Sequence, residues 1–161
     1  MFRTGNLRCL SCCALFLILC LPHSVLAVGS QPSSTPAQKA VVAPPGSAEA
    51  EYAKGLEAKA AKRYSEAVPR FRRAVELKPG YPEAWNELGF ALRQTGQYPE
   101  ALKAYDEALR LRPNFPEAME YLGEAYVKLG RLDDARAMLV RLKTLDPVRA
   151  KELEEAIQAG K

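Results

Sequence analysis

The chain has 161 residues, of which 48% are hydrophobic and 26% are charged, and its formal net charge is +4. This length suits one compact domain with flanking segments, and the mixing of both charge signs from residue 49 onwards argues against a nucleic-acid partner. All four cysteines and the one histidine lie between Cys9 and His23. The rest of the chain therefore has no histidine base for nucleophilic catalysis and no Cys or His ligand for zinc.

Residues 1–27 are predicted to be a secretory signal peptide. Arg3 and Arg8 precede an almost wholly apolar run from Cys9 to Leu21, and cleavage is expected after Ala27. The alternative is a retained membrane anchor, but about 13 apolar residues are fewer than the roughly 20 that a bilayer requires. We therefore expect an exported protein, periplasmic or secreted, with anchoring through an uncleaved N-terminal segment as the alternative.

Residues 28–47 are predicted to be a disordered linker. The segment contains four prolines and four serines, one charged side chain (Lys39) and no aromatic residue. Such a composition cannot bury enough apolar surface to fold by itself. The segment is therefore expected to be a tether in front of the folded part of the chain.

Three ladders of residues recur at a fixed interval of 34 residues in the remaining chain. Small residues and a helix-ending proline that repeat in phase indicate copies of one supersecondary unit. We predict three copies, over 48–81, 82–115 and 116–149. The ladders are Gly55, Gly89 and Gly123; Ala67, Ala101 and Ala135; and Pro79, Pro113 and Pro147.

Each copy is predicted to be an antiparallel pair of helices. In the middle copy, Trp85, Leu88 and Leu92 are spaced as one face of a helix. A turn at 95–97 leads to a second apolar stripe, which Pro113 ends. Small ladder residues let the paired helices approach closely, and Trp85 is expected to be the largest apolar anchor.

At these positions the chain resembles the tetratricopeptide repeat family, from Ala48 to about Arg149. The resemblance implies an all-α fold, an α-solenoid of three antiparallel helix-turn-helix repeats. A further helix is expected over 148–159, overlapping the C-terminal capping segment 150–161, which makes seven helices. The middle copy matches the family pattern through Trp85, Leu88, Gly89, Leu92, Ala101, Tyr105, Ala108 and Pro113.

Some residues depart from the family pattern. Glu51 and Lys54 replace large apolar residues in the first copy, which suits a terminal helix without a preceding neighbour. Pro69 falls inside the second helix and is expected to bend or shorten its first turn. Leu142 replaces a small residue, so the third copy is expected to contact the next helix differently.

The resemblance also implies a binding surface, because in this family the first helix of each pair lines a concave groove. The family offsets predict a half-apolar floor that includes Phe90, for which no role within the chain is expected, and Asn86, which would hydrogen-bond a peptide backbone. The borders are acidic (Glu49, Glu83, Glu117) and basic (Lys59, Arg93, Lys128), or these charges merely suit the helix dipoles. The predicted peptide-binding residues are Tyr52, Leu56, Lys59, Asn86, Phe90, Arg93, Glu120, Glu124 and Lys128.

These patterns predict a non-enzymatic module that binds a peptide or partner protein and needs no cofactor or metal. Some relatives grip the C-terminal carboxylate of heat-shock chaperones, but Glu120 and Glu124 would repel that group here. Asp133 and Asp134 could be considered a catalytic pair, yet acids in the first turn of a helix ordinarily complement its dipole. The alternative function is a self-associating subunit or scaffold of a cell-envelope complex.

Overall fold

The computed structural model describes residues 44–160. The predicted signal peptide and most of the predicted linker lie outside the described residues. Every regular element from 44 to 160 is an α-helix, and these helices number seven, which confirms the all-α solenoid. The helices are α1 (Ala48–Ala60), α2 (Tyr64–Leu77), α3 (Pro82–Gln94), α4 (Tyr98–Leu111), α5 (Pro116–Lys128), α6 (Leu132–Leu145) and α7 (Pro147–Ala159).

The first six helices form three hairpins of equal dimensions. Each first helix has 13 residues and each second helix has 14. Each second helix also packs on the first helix of the next hairpin, so the hairpins stack in chain order. In the described part of the chain, no helix has the length and apolar character needed to cross a membrane.

Helix starts follow from local side-chain chemistry. The Ser47 hydroxyl accepts a hydrogen bond from the Ala50 N–H at 3.1 Å and caps α1. Prolines stand in the first turn of α3, α4, α5 and α7, where the missing N–H costs no helical hydrogen bond. Pro69 leaves α2 as long as its counterparts α4 and α6, so the expected shortening does not occur.

Two of the ladder glycines, Gly55 and Gly89, allow an aromatic ring to lie directly against the facing helix, whereas Gly123 faces Leu153 of α7. A β-carbon built on Gly55 would lie 2.5 Å from Phe71, and one built on Gly89 would lie 2.7 Å from Tyr105. Phe71 and Tyr105 are fully buried and stand at the same position of consecutive repeats. The absent side chain therefore fixes how closely the helices of a hairpin approach.

Trp85 is not the largest buried anchor that the sequence suggested. It is only half-buried, and its indole Nε1 donates a hydrogen bond to the Pro79 carbonyl at 2.8 Å. The largest fully buried side chains include Tyr105 and Phe71. The second helices thus supply the bulkiest core residues, because the glycine ladder makes room for them.

At the N-terminal end of the array, a buried acid of α1 forms ion pairs with two basic side chains. Glu51, at the position of Trp85 one repeat earlier, is only 7% exposed. Its carboxylate accepts hydrogen bonds from Lys54 Nζ at 2.7 Å and from Arg70 of α2 at 3.1 Å. These two bonds lower the pKa of Glu51 and keep it ionised.

The capping helix α7 begins at Pro147, three residues before the start of the predicted segment 150–161. Asp146 alone links it to α6, and the Asp146 carboxylate accepts hydrogen bonds from the N–H groups of Val148 and Arg149, both at 3.1 Å. Leu142 is fully buried in the same cluster as Leu153 of α7. Leu142 therefore packs against the capping helix α7. This agrees with the expectation that a large residue at 142 changes how the third repeat contacts the next helix.

Replacing Gly89 with alanine should destabilise the array. The new methyl group would meet the buried Tyr105 ring, and overpacking of this kind costs about 1 to 3 kcal/mol, against a helix-propensity gain of about 1 kcal/mol. We expect a net loss of up to about 2 kcal/mol in urea unfolding. The matched control is Gly80→Ala, where no atom lies within 4 Å of the added carbon. An equal loss in both variants would contradict the close-approach role of Gly89.

Candidate functional site: the inner face of the first helices

The surface formed by α1, α3 and α5, called the inner face below, is held together by contacts between successive first helices. Phe90 of α3 lies at its centre. The Phe90 ring is 5.2 Å from the ring of Tyr121 on α5 and 5.9 Å from the ring of Tyr64, at the start of α2. Lys59 Nζ lies 4.4 Å from the centre of the Phe90 ring.

Phe90 therefore has a role within the chain, contrary to the expectation from sequence. Its ring joins three helices through aromatic and cation–π contacts, which favour this geometry beyond simple area burial. It is nevertheless only half-buried. One side of the ring is thus structural, and the remainder contributes to the accessible inner face.

Two of the predicted site residues lie beneath the inner face rather than on it. Asn86 is 3% exposed, and its Oδ1 accepts no hydrogen bond from residues 44–160. Glu120 is 6% exposed and accepts a hydrogen bond from Arg149 of α7. Burial raises the pKa of Glu120, and the Arg149 guanidinium opposes that rise. In this conformation neither side chain reaches a ligand on the surface.

The acidic border is neutralised by cations from neighbouring elements. Glu49 pairs with Lys78 at 2.8 Å, Glu83 pairs with Arg112, and Glu117 pairs with Arg149 at 3.0 Å. Lys78 lowers the pKa of Glu49. Burial raises the pKa of Glu83, but the hydrogen bond with Arg112 and other favourable interactions outweigh it and lower the value. The acids therefore join elements of the array more than they present a negative surface.

The basic border is partly neutralised in the same way. Lys59 pairs with Glu87 at 2.6 Å, and Arg93 pairs with Glu124 at 2.9 Å. Lys128 is exposed and forms no ion pair with any residue from 44 to 160. Glu124 is thus compensated, so a repulsive acidic patch is absent at that position.

Three residues of the inner face escaped the sequence prediction. Tyr64 belongs to the start of a second helix, Tyr121 stands at a repeat position outside the family's groove offsets, and Lys62 lies in the first hairpin turn. A cavity of about 320 Å³ opens beside Lys62 and Tyr64. It is lined by Leu56, Lys59, Ala60, Lys62, Tyr64 and Phe90.

The apolar side of the inner face continues to the N-terminal end of the array. Tyr52 contacts the rings of Tyr81 at 5.0 Å and Phe71 at 5.8 Å. Burial raises the pKa of Tyr52 to about 12, so its phenol is uncharged at neutral pH. Tyr52 and Leu56 therefore offer half-exposed apolar surface without adding charge.

Asp133 and Asp134 form separate surface ion pairs in the first turn of α6. Asp133 pairs with Arg136 at 2.6 Å, and Asp134 pairs with Arg131 at 2.7 Å. Both are i, i+3 pairs on the solvent-facing side of α6. Each carboxylate is explained by its local partner and by the helix dipole.

Stacked helical hairpins with one partly uncovered, aromatic-rich face define an α-solenoid of the protein-interaction class. Models described as TPR repeat or tetratricopeptide repeat match residues 58–110, 91–130 and 117–147. The chain belongs to the tetratricopeptide repeat family. No curated protein is significantly similar to it in sequence.

Solved structures share the fold. The TPR domain of Arabidopsis OM64 is 20% identical, with a TM-score of 0.67 over 71% of this chain and 97% of that domain. The first TPR of Spaghetti (RPAP3), bound to the HSP90 peptide SRMEEVD, is 21% identical, with a TM-score of 0.66 over 74% of this chain and 97% of that one. MamA is 28% identical, with a TM-score of 0.56 over 68% of this chain and 60% of that chain.

Proposed function

We propose that the protein is an exported, non-enzymatic interaction module whose inner face binds a peptide or an extended segment of a partner protein. The observation that carries the proposal is the cavity of about 320 Å³, whose walls include the exposed Leu56 and the half-buried rings of Tyr64 and Phe90. Exposed apolar surface in a concave setting is typical of binding sites. The similar fold of the first TPR of Spaghetti (RPAP3), bound to an HSP90 peptide, supports a peptide-sized ligand.

Export is part of this proposal and rests on the predicted signal at 1–27. Fractionation of cells that produce the whole chain tests it. We expect the protein outside the cytoplasm and shortened at its N-terminus, with Val28 as its first residue. Full-length protein recovered from the cytoplasm would contradict export.

The inner face is tested with peptides selected from a phage library of random dodecapeptides against the purified protein. Leu56→Gln should weaken the selected peptides about tenfold, because it removes apolar surface from the cavity wall. Leu77→Gln is the matched control, because Leu77 is exposed to nearly the same extent as Leu56, 40% against 37%. Leu77 lies at the end of α2, outside the inner face. Peptides equally sensitive or equally insensitive to both changes would contradict the proposal.

A second candidate function is self-association. Val140 on α6 and Val148 on α7 are 69% and 70% exposed, which is unusual for β-branched apolar side chains. A dimer formed through this end of the array should dissociate when both valines are replaced with serine. Light scattering at micromolar concentration measures the change, and a monomer at every concentration rules out this function.

A further inference from the structure

The three hairpin turns adopt the same left-handed backbone conformation but do not use the same residue. Gly96 and Gly130 have φ values of +78° and +71°, and Lys62, the equivalent residue of the first repeat, has φ +56°. Glycine adopts this conformation without steric cost, whereas a residue with a β-carbon is strained there. The second and third turns therefore adopt the left-handed conformation without strain, whereas the first turn is strained at Lys62.

The Lys62 side chain lies where a ligand would be bound. It lines the cavity of about 320 Å³ together with Leu56, Tyr64 and Phe90. Residues with strained backbone conformations are concentrated at active sites and ligand-binding sites.

The charge of Lys62 is not compensated within residues 44–160. Its neighbour Arg63 pairs with Glu66 at 2.9 Å, and Lys59 pairs with Glu87 at 2.6 Å, but Lys62 forms no ion pair in the same range. No acidic side chain lines the cavity. An incoming carboxylate would therefore meet a free cation at the edge of an apolar surface.

The next stretch of the inner face offers a contrast. There the residue equivalent to Phe90 is Glu124, which pairs with Arg93 at 2.9 Å, and the turn residue equivalent to Lys62 is Gly96. A cavity of about 280 Å³ at that end includes both Arg93 and Glu124 in its wall. That wall also contains Lys128, which forms no ion pair with residues 44–160, but it contains no aromatic ring. The cavity lined by Lys62, called the first cavity below, instead combines an uncompensated lysine with the aromatic rings of Tyr64 and Phe90.

We propose that the first cavity recognises an acidic and apolar motif, in which a large apolar side chain enters between Leu56 and Phe90 while an adjacent aspartate or glutamate pairs with Lys62. This inference rests on the proposed peptide-binding function and names the chemistry of its ligand. A charge-assisted hydrogen bond at a partly apolar site is stronger than a neutral one, so the acid adds affinity and the cavity adds selectivity.

The test uses the dodecapeptides whose binding is weakened by Leu56→Gln. They should carry an acidic residue next to a large apolar one, and Lys62→Asn should weaken them about tenfold. Asparagine is chosen because it tolerates the left-handed conformation. Replacing the peptide acid with its amide should weaken binding to the same extent, with no further loss on Lys62→Asn. Peptides with free and amidated C-termini separate a side-chain carboxylate from a terminal one.

Control variants separate binding from folding. Lys62→Arg should keep the affinity, and Lys103→Asn, which changes a lysine of α4 outside this cavity, should not alter it. Lys62→Gly should weaken binding while leaving Tm unchanged or raising it, because glycine relieves the strained turn.

The possible outcomes are distinguishable. Peptides that need Leu56 but carry no acid, or that are insensitive to Lys62→Asn, overturn the inference and leave the proposed function standing. Tight binding only of peptides with a free C-terminal carboxylate also overturns it. An absence of peptides that need Leu56 overturns the proposed function itself.

Discussion

Replacing Arg149 with methionine should destabilise the protein by about 3 kcal/mol. Arg149 links the capping helix to α5 through hydrogen bonds with Glu120 and, at 3.0 Å, with Glu117. The Glu120 side chain is 7% exposed, so removal of its cation leaves a carboxylate buried without compensation. The expected loss lies at the lower end of the usual range of about 3 to 5 kcal/mol, because the Arg149 side chain is itself 28% exposed.

The pH dependence of this loss identifies its cause. Burial already raises the pKa of Glu120, and without Arg149 the pKa should rise further. The free-energy cost of burying ionised Glu120 is therefore present above the pKa that Glu120 has in the folded protein. This cost disappears at a pH low enough for Glu120 to be protonated in both the folded and the unfolded protein. The difference in unfolding free energy between Arg149→Met and the unchanged protein should shrink as the pH falls from neutral towards about 4.3, the pKa of an unperturbed glutamate.

Two further variants make the prediction specific. Adding Glu120→Gln to Arg149→Met should restore part of the stability, because the buried group is then neutral. Lys151→Met is the control on the same helix, since Lys151 is exposed and its contact with Glu155 is 3.8 Å long. A loss in Arg149→Met that is equal at every pH, or no larger than the loss in Lys151→Met, would contradict the buried-pair account.

The fold was predictable because few residue types determine the stacking of the helices. A glycine repeated every 34 residues marks where a large side chain of another helix lies against the backbone, as in the pair Gly89 and Tyr105. The sequence predicts a capping helix from residue 148, and α7 begins one residue earlier, at Pro147. Pro147 was interpreted as a helix stop, but the Asp146 side chain caps a new helix at that point and Pro147 becomes its first residue.

The candidate site was less predictable, because side chains from several helices build it. The family offsets locate Leu56, Lys59 and Phe90, all of which line the first cavity. They do not locate Tyr64, which a second helix supplies. They also place Asn86 on the surface, although the helices bury it. Single-helix periodicity carries no information on such contacts between helices.

The ion pairs of the inner face were hidden for the same reason. Acids at the starts of the first helices suit the helix dipole, and from sequence they were equally consistent with a charged groove. Their partners lie about 29 residues away, as in the pair Glu49 and Lys78. Only the packing of the hairpins brings these groups together.

Replacing Tyr105 with alanine should cost about 3 to 5 kcal/mol, the range observed for buried aromatic residues. Tyr105 is fully buried, its ring covers Gly89, and it lies 6.3 Å from the ring of Tyr121. Its removal would leave a cavity and remove packing contacts between α4 and both α3 and α5. Urea unfolding followed by circular dichroism measures the loss, and an unchanged m value shows that the shift in midpoint reports a change in stability.

The companion variants decide which residue anchors the second repeat. Tyr105→Phe should change the free energy of unfolding by no more than about 1 kcal/mol. Phe71 occupies the same position in the first repeat, and the Tyr105 hydroxyl forms no hydrogen bond within residues 44–160. Trp85→Ala should cost less than Tyr105→Ala, because Trp85 is only half-buried. Sequence alone favoured Trp85 as the main anchor, so an equal or larger loss in Trp85→Ala would contradict the structural assignment. A smaller loss would place the centre of the core at the contact between the glycine ladder and the aromatic rings of the second helices.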